Sequence, residues 1–303
     1  MKLLEYYPLL NRALKSLNSS SHKILVEHKN DKDAGILFVS TVFDIPLNEI
    51  SLSARNFVYD KILPEAFQLI NTVNFDVLFH VRHTRFQYGS VAFGISLNHR
   101  PADAHSYFQL IKDWVRLYQQ SNYQRDVCHQ RSLLQLSPKE IDELQSSTSN
   151  FNHLENSAVE KSILASSLKE IVAKNFRFSI DELTKTKSDP LGHQSSNIDY
   201  LSTFEVLTAH LYQRVALARR CSSDSTSKLY ISTNIRPRLA QPILPETHFG
   251  NGIVLPHLEM SMSQLIDLTH VSILASQIHD VIKKINTEYI RTTLAWMQSQ
   301  EDK

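Results

Sequence analysis

The apolar positions between Ser90 and Trp114 change their spacing partway along. Val91, Phe93, Ile95 and Leu97 alternate with Ala92, Gly94 and Ser96, the period-two pattern of a buried strand. Pro101 then interrupts the run, because its ring fixes φ and removes a backbone donor. After Ala104 the period becomes helical: Tyr107, Leu110, Ile111, Trp114 and Leu117 form one stripe, with His105, Gln109, Lys112 and Arg116 opposite. His99 and Asp103 therefore fall at a strand-to-helix corner, where a side chain can reach a ligand from a rigid support.

The same reading extends along the chain. Residues 1–20 begin as a helix carrying Leu3, Leu4, Leu10 and Leu14. Strands are expected at Lys23–Glu27 and Gly35–Val42, separated by the polar turn at Asn30–Asp33, while 47–65 has no clear pattern. Val77–Phe86 alternates, and Gln87-Tyr-Gly-Ser90 is a turn signal, so this run pairs with Ser90–Leu97 as a hairpin. A helix starts at Ser137-Pro-Lys-Glu. Residues 146–171 open with a polar run and read as a crossover, followed by a strand at Asn175–Ser179, a helix at Ile180–Lys187 and a loop at 188–196. Ser202 with Glu205 forms a capping box ahead of a helix with Phe204, Leu207, Leu211, Val215 and Ala218 at helical spacing, ending in Arg219-Arg220. A strand at Lys228–Thr233 and one long helix over 262–297 complete the pattern. There is no internal repeat.

At 303 residues the chain is long enough for two domains. They are placed at 1–145, carrying the strand-to-helix corner, and 172–303, an incomplete C-terminal domain, joined by the 146–171 linker. The formal net charge of +1 gives no basic surface for nucleic acid. Cys128 and Cys221 stand far apart and form no metal spacing, which fits free thiols in a reducing compartment. No apolar run is long enough to span a bilayer, and Glu5 and Pro8 spoil a signal-peptide core. A cytoplasmic, monomeric protein is expected.

Neutral imidazole can take a proton from a hydroxyl or an amine, so His99 is a candidate general base. His-x-x-x-Asp is a weak motif alone, and a turn histidine bonded to backbone is its ordinary reading. His105, His210, His248 and His257 have no ligand-like spacing to one another and read as surface or satisfied core residues. No Gly-rich phosphate loop, Gly-x-Ser-x-Gly elbow or His-Glu-x-x-His occurs.

Three longer stretches add a resemblance. Ser96-Leu-Asn-His-Arg-Pro-Ala-Asp-Ala-His-Ser-Tyr-Phe-Gln-Leu-Ile-Lys-Asp-Trp114 resembles the catalytic segment of the BAHD acyltransferases, the hydroxycinnamoyl-transferase-like enzymes that use coenzyme A thioesters. Leu201-Ser-Thr-Phe204 is similar to that family's Ser-Thr-Phe helix opening. Asn234-Ile-Arg-Pro-Arg-Leu-Ala-Gln-Pro-Ile-Leu-Pro-Glu-Thr-His-Phe-Gly-Asn251 is similar to its Arg-x-Arg-Leu, Pro-x-Leu-Pro and Tyr-Phe-Gly-Asn stretch. Tyr6-Tyr-Pro-Leu-Leu-Asn-Arg12 also matches a family segment, with Asn11 replacing glycine.

The resemblance covers about residues 3–297. It implies an α/β fold with mixed sheets in the two-domain, chloramphenicol acetyltransferase-like arrangement, with an interface tunnel. It implies transfer of an acyl group from an acyl-CoA co-substrate to a small-molecule hydroxyl or amine, without metal or bound cofactor. His99 would act as base and Asp103 would be structural. Arg236, Arg238, Ser202, Thr203, Gly250 and Asn251 would contact or shape the coenzyme A and substrate site. Three departures stand out: the family's opening segment is missing, its closing Asp-Phe-Gly-Trp-Gly motif is absent, and Ala104 replaces the usual glycine. A non-catalytic acyl-CoA or partner-binding relative and a condensation-type domain using carrier-bound donors remain as alternatives.

Overall fold

The structure is a computed structural model. It describes residues 2–11, 13–16, 24–27, 36–49, 78–120, 122–145, 176–187, 201–220, 222–268 and 270–300. These fall into two compact units: one holds the described residues up to His129 together with Thr247–Asn251, and the other holds the described residues from Gln130 on, Thr247–Asn251 apart.

The first unit opens with α1 (Leu3–Tyr6) and a 3-10 turn at Pro8–Asn11. The helix expected here is cut short because Tyr7 precedes Pro8 and leaves the helical region (φ −126°, ψ 61°). Leu14 accordingly lies in β1 (Ala13–Ser16), paired antiparallel with β2 (Ile24–Glu27). β3 (Leu37–Phe43), β4 (Phe79–Phe86) and β5 (Val91–Leu97) form a mixed sheet, β3 parallel and β5 antiparallel to β4. The hairpin expected at 87–90 is present: Tyr88 (φ 63°) and Gly89 (φ 82°) both turn left-handed, and Phe86 N–H donates to Ser90 O at 2.8 Å. The alternating face of β5 is half-buried only toward its end, where Ile95 and Leu97 pack against the core cluster that holds Phe79 and Val81, while Phe93 is 54% exposed.

α2 (Ala104–Gln119) packs on this sheet. Its inward face differs from the apolar stripe: Ser106, Gln109, Leu110 and Asp113 are buried, and Trp114 and Leu117 flank them. Asp113 explains the departure. Its carboxylate accepts from the Tyr7 hydroxyl, from Tyr123 Oη at 2.8 Å and from Arg125 Nη1 at 2.8 Å. Three donors, one of them cationic, satisfy a buried carboxylate that would otherwise be costly. Burial, with the neighbouring Asp113 adding to it, pushes the Tyr7 phenol far above its ordinary range.

The second unit contains α3 (Pro138–Gln145), α4 (Ile180–Lys187), α5 (Thr203–Arg219), β6 (Thr226–Tyr230), β7 (Thr233–Asn234), β8 (Ile253–Val254), β9 (His257–Ser261), α6 (Met262–Asp267), α7 (Val271–Lys283) and α8 (Thr287–Gln300). β6 pairs antiparallel with β9, and β7 with β8. The strand expected at Lys228–Thr233 thus starts two residues earlier and ends at Tyr230. No strand forms over 176–179; Ser179 instead caps α4, accepting from Glu182 N–H at 3.2 Å while Glu182 accepts from Ser179 N–H.

The single helix expected over 262–297 is three. Gln213 Nε2 donates to the carbonyls of Leu265 (3.3 Å) and Leu268 (2.7 Å) at the end of α6. Arg238 Nη1 donates to Ile282 O and Ile285 O at the end of α7, and Asn286 caps α8 through Tyr289 N–H. Side chains far away in sequence thereby satisfy carbonyls that a continuous helix would bond internally. α5 also turns differently from its pattern. Val206, Ala209, Tyr212 and Ala216 join Leu265, Leu274 and Ile278 in the core, whereas Phe204, Leu211 and Val215 are 54%, 44% and 45% exposed. The expected linker at 146–171, the loop at 188–196, the turn at 30–33 and most of 47–65 lie outside the described residues.

Candidate active site

β5 delivers its last residues to the corner, where Asn98 N–H donates to Leu78 O at 2.8 Å and Asn98 Oδ1 accepts from Arg100 N–H at 3.0 Å. This local Asx turn leaves His99 exposed at the tip. Pro101, Ala102 and Asp103 then descend into the core, Asp103 being 2% exposed. Asp103 is the N-cap of α2: its extended backbone precedes the first helical residue, Ala104, and its Oδ1 accepts from Ser106 N–H at 2.9 Å. Ala104 lies in the helix with ordinary right-handed backbone, so this turn places no demand for glycine there.

The segment Thr247–Asn251 underpins the corner. Gly250 O accepts from Asp103 N–H (3.3 Å) and from Ser106 Oγ (2.9 Å), and Gly250 N–H donates back to Ser106 Oγ at 3.1 Å. Asn251 Nδ2 donates to His99 O at 3.1 Å and Arg100 O at 2.8 Å. Gly250 is required by proximity: a Cβ there would stand 2.6 Å from His248 Nε2. Phe249 anchors the segment in the core, its ring centroid 4.9 Å from that of Tyr7.

His99, Asp103, Gly250 and Asn251 are therefore brought together in one unit. Ser106, absent from the sequence-based set, joins Asp103 to Gly250, and its burial carried no signal in the hydrophobic pattern. Also unforeseen is Cys128, whose Sγ lies 3.9 Å from Nδ1 of the buried His248.

The remaining predicted residues belong to the second unit. Ser202 caps α5 by accepting from Glu205 N–H at 3.3 Å, while Glu205 accepts from Ser202 N–H at 2.6 Å and meets His279 Nδ1 at 2.9 Å. Thr203 is exposed beside it. Arg236 is 3% exposed; its Nη1 donates to Asn234 Oδ1 at 3.0 Å, and its guanidinium lies against Gly252, where a Cβ would meet Nη1 at 2.8 Å. Arg238 caps α7 as described. Both arginines thus have their guanidinium groups turned to the protein. A groove of about 520 Å³ between α5 and β6, lined by Leu211, Tyr212, Val215 and Lys228, contains none of the predicted site residues. Among the described residues no cluster of His, Cys, Asp and Glu could hold a metal ion, and no helix is long and apolar enough to cross a membrane.

Chemically, the first unit offers an exposed imidazole on a turn fixed at both sides, with its carboxylate neighbour directed inward. That arrangement suits proton transfer at His99 and a positioning role for Asp103.

Comparison with known proteins agrees with this architecture. The shikimate O-hydroxycinnamoyltransferase of Nicotiana tabacum is 22% identical over 99% of this chain and 66% of its own length. Anthranilate N-benzoyltransferase protein 3 of Dianthus caryophyllus is 24% identical over 99% of this chain and 64% of its own. The crystal structure of F. sporotrichioides TRI101 complexed with coenzyme A and T-2 shares the fold at a TM-score of 0.62 and 11% identity, covering 99% of this chain and 67% of that one. The chain thus spans about two thirds of the length of the curated relatives it matches. The family model described as the Transferase family matches residues 2–303, and with the motifs around His99 and Asn251 it shows that this chain belongs to that family, the BAHD acyltransferases.

Proposed function

We propose that the protein transfers an acyl group from an acyl-CoA thioester to the hydroxyl or amine of a small molecule, with His99 as the general base. The observation carrying this reading is the corner itself: an exposed His99 whose own carbonyl and that of Arg100 are held by Asn251, beside a buried, capping Asp103. A ring nitrogen of His99 takes the acceptor's proton as the acceptor attacks the thioester carbonyl. Collapse of the tetrahedral intermediate breaks the carbon–sulfur bond, and the departing coenzyme A thiolate receives the proton. Such general-base assistance is worth about two to four decades in rate.

Family membership supports acyl-CoA as a co-substrate rather than a resident cofactor. Asp103, Gly250 and Asn251 shape the turn. Arg236 and Arg238, whose guanidinium groups bond inward, support the loop and helix end rather than present forks to the donor's phosphates. Thr203, exposed at the start of α5, remains a candidate donor contact, with Ser202 holding the helix end beneath it. The protein is taken to act as a cytoplasmic monomer.

The test is release of free thiol from a pool of acyl- and aroyl-CoA donors mixed with alcohol and amine acceptors. Acceptor-dependent release that vanishes in a folded His99→Ala chain supports the reading. Equal release by both chains, or none from a folded parent chain, removes it. Activity only with carrier-bound donors would point to a condensation-type enzyme.

A further inference from the structure

Cys128 lies at the end of the first unit in an isolated parallel bridge with His248. Its N–H donates to Thr247 O at 3.1 Å and its carbonyl accepts from Phe249 N–H at 2.8 Å, so its backbone is tied on both sides of His248. The thiol is partly exposed, and its sulfur stands 3.9 Å from His248 Nδ1. The other edge of the imidazole is pressed against Gly250. A nucleophile and a base within hydrogen-bonding reach, with the base held from behind, is the arrangement that activates a thiol.

Its position matters as much as its chemistry. His248 belongs to the segment that supports the corner: Gly250 holds Asp103 and Ser106, and Asn251 holds the carbonyls of His99 and Arg100. The ring fills the space that a Cβ at Gly250 would take, so bulk added at Cys128 presses on an imidazole packed against the segment that supports the corner.

We propose that Cys128 and His248 form a reactive thiol–imidazole pair, a site at which a low-molecular-weight disulfide modifies Cys128 and thereby loosens the His99 corner. The thiol gives its proton to His248 Nδ1, and the sulfur attacks one sulfur of the disulfide. The S–S bond breaks, a mixed disulfide forms on Cys128, and the departing thiolate takes the proton from His248. The disulfide is the oxidant and is consumed; an added thiol reverses the exchange. Neither the reactivity nor the loosening rests on the role proposed for His99.

The test incubates the full chain with oxidised glutathione and maps the adducts by mass spectrometry, with Cys221 as the reference in the same sample. The adduct is expected on Cys128 at least about tenfold faster than on Cys221, removable by dithiothreitol, with the ratio falling toward one in urea. In His248→Gln the Cys128 rate falls about tenfold and the Cys221 rate is unchanged. Hydrogen exchange at the amides of Asp103 and Gly250 speeds up in the glutathionylated chain but not in Cys128→Ser treated alike. Equal rates at the two cysteines in the folded chain would overturn the proposal, as would a folded His248→Gln chain with unaltered Cys128 reactivity. Unchanged exchange at Asp103 and Gly250 after modification of Cys128 would overturn the coupling to the corner. Should His248→Gln fail to fold, the Cys128 to Cys221 ratio with and without urea decides the reactivity by itself.

Discussion

Asn251 holds the backbone of His99 from 152 residues away: its Nδ2 bonds the carbonyls of His99 and Arg100, while the His99 ring stays exposed. The imidazole's placement thus depends on a side chain that makes no claim on the imidazole itself. Asn251→Ala is expected to cost about 1–2 kcal/mol of stability for two lost hydrogen bonds. The proposed acyl-transfer rate should fall by about tenfold or more at saturating substrate, because His99, the proposed base, is no longer held in place. Denaturant titration beside kcat measurement checks this; an unchanged kcat would show that the clamp does not position His99.

Asp103 caps the helix that follows it. Its Oδ1 meets Ser106 N–H at 2.9 Å in a site 2% exposed. Asp103→Ala should destabilise the chain by at least about 1 kcal/mol, the usual worth of an N-cap. Urea unfolding is the measurement, and a stability loss well under this would mean that the cap bond contributes nothing.

Gly250 is required because a Cβ would meet His248 Nε2 at 2.6 Å, and its φ is not in the left-handed region. Gly250→Ala is therefore expected to cost about 1–3 kcal/mol by overpacking. In the His248→Ala background the same change should cost much less, a coupling readable in a double-mutant cycle. Equal costs in the two backgrounds would contradict the steric account.

The carboxylate of Asp113 receives Tyr7, Tyr123 and Arg125. Tyr7→Phe removes one charge-assisted donor without removing the ring from its contact with Phe249. The expected loss is about 1.5–3 kcal/mol, the range for a hydrogen bond to a charged group. Thermal unfolding of the single variant measures it.

Glu140 is a contributor to acid stability in the second unit. Hydrogen bonds from Ser137, together with Arg291 Nη2 at 2.7 Å, hold the Glu140 carboxyl down from 4.5 to about 2. A depressed folded-state value means that the contribution is present above the unfolded value of 4.5 and is lost as pH falls through about 2. Glu140→Gln should therefore lower Tm at pH 6 and lower it much less near pH 2. A difference of equal size at both pH values would show that the carboxylate's charge is not what links α3 to α8.

The sequence by itself determined the local elements around the site. The change from period two to helical spacing near Pro101, the turn chemistry of Gln87–Ser90 and the Ser202–Glu205 capping box each depend on neighbours a few residues away, and each is found where the pattern put it. The family motifs supplied His99 and the Gly250-Asn251 pair. Only tertiary structure decided what lies beneath them. Gln213 and Arg238 cut the last long helix by bonding its carbonyls across about 50 residues. Ser106 and Asp113 are buried on a helix face because Gly250, Tyr7, Tyr123 and Arg125 meet them there. Cys128 meets His248 for the same reason. Hydrophobic periodicity records which side chains avoid water, whereas a buried polar residue is kept by partners distant in the chain, and those partners exist only once the fold has brought them together.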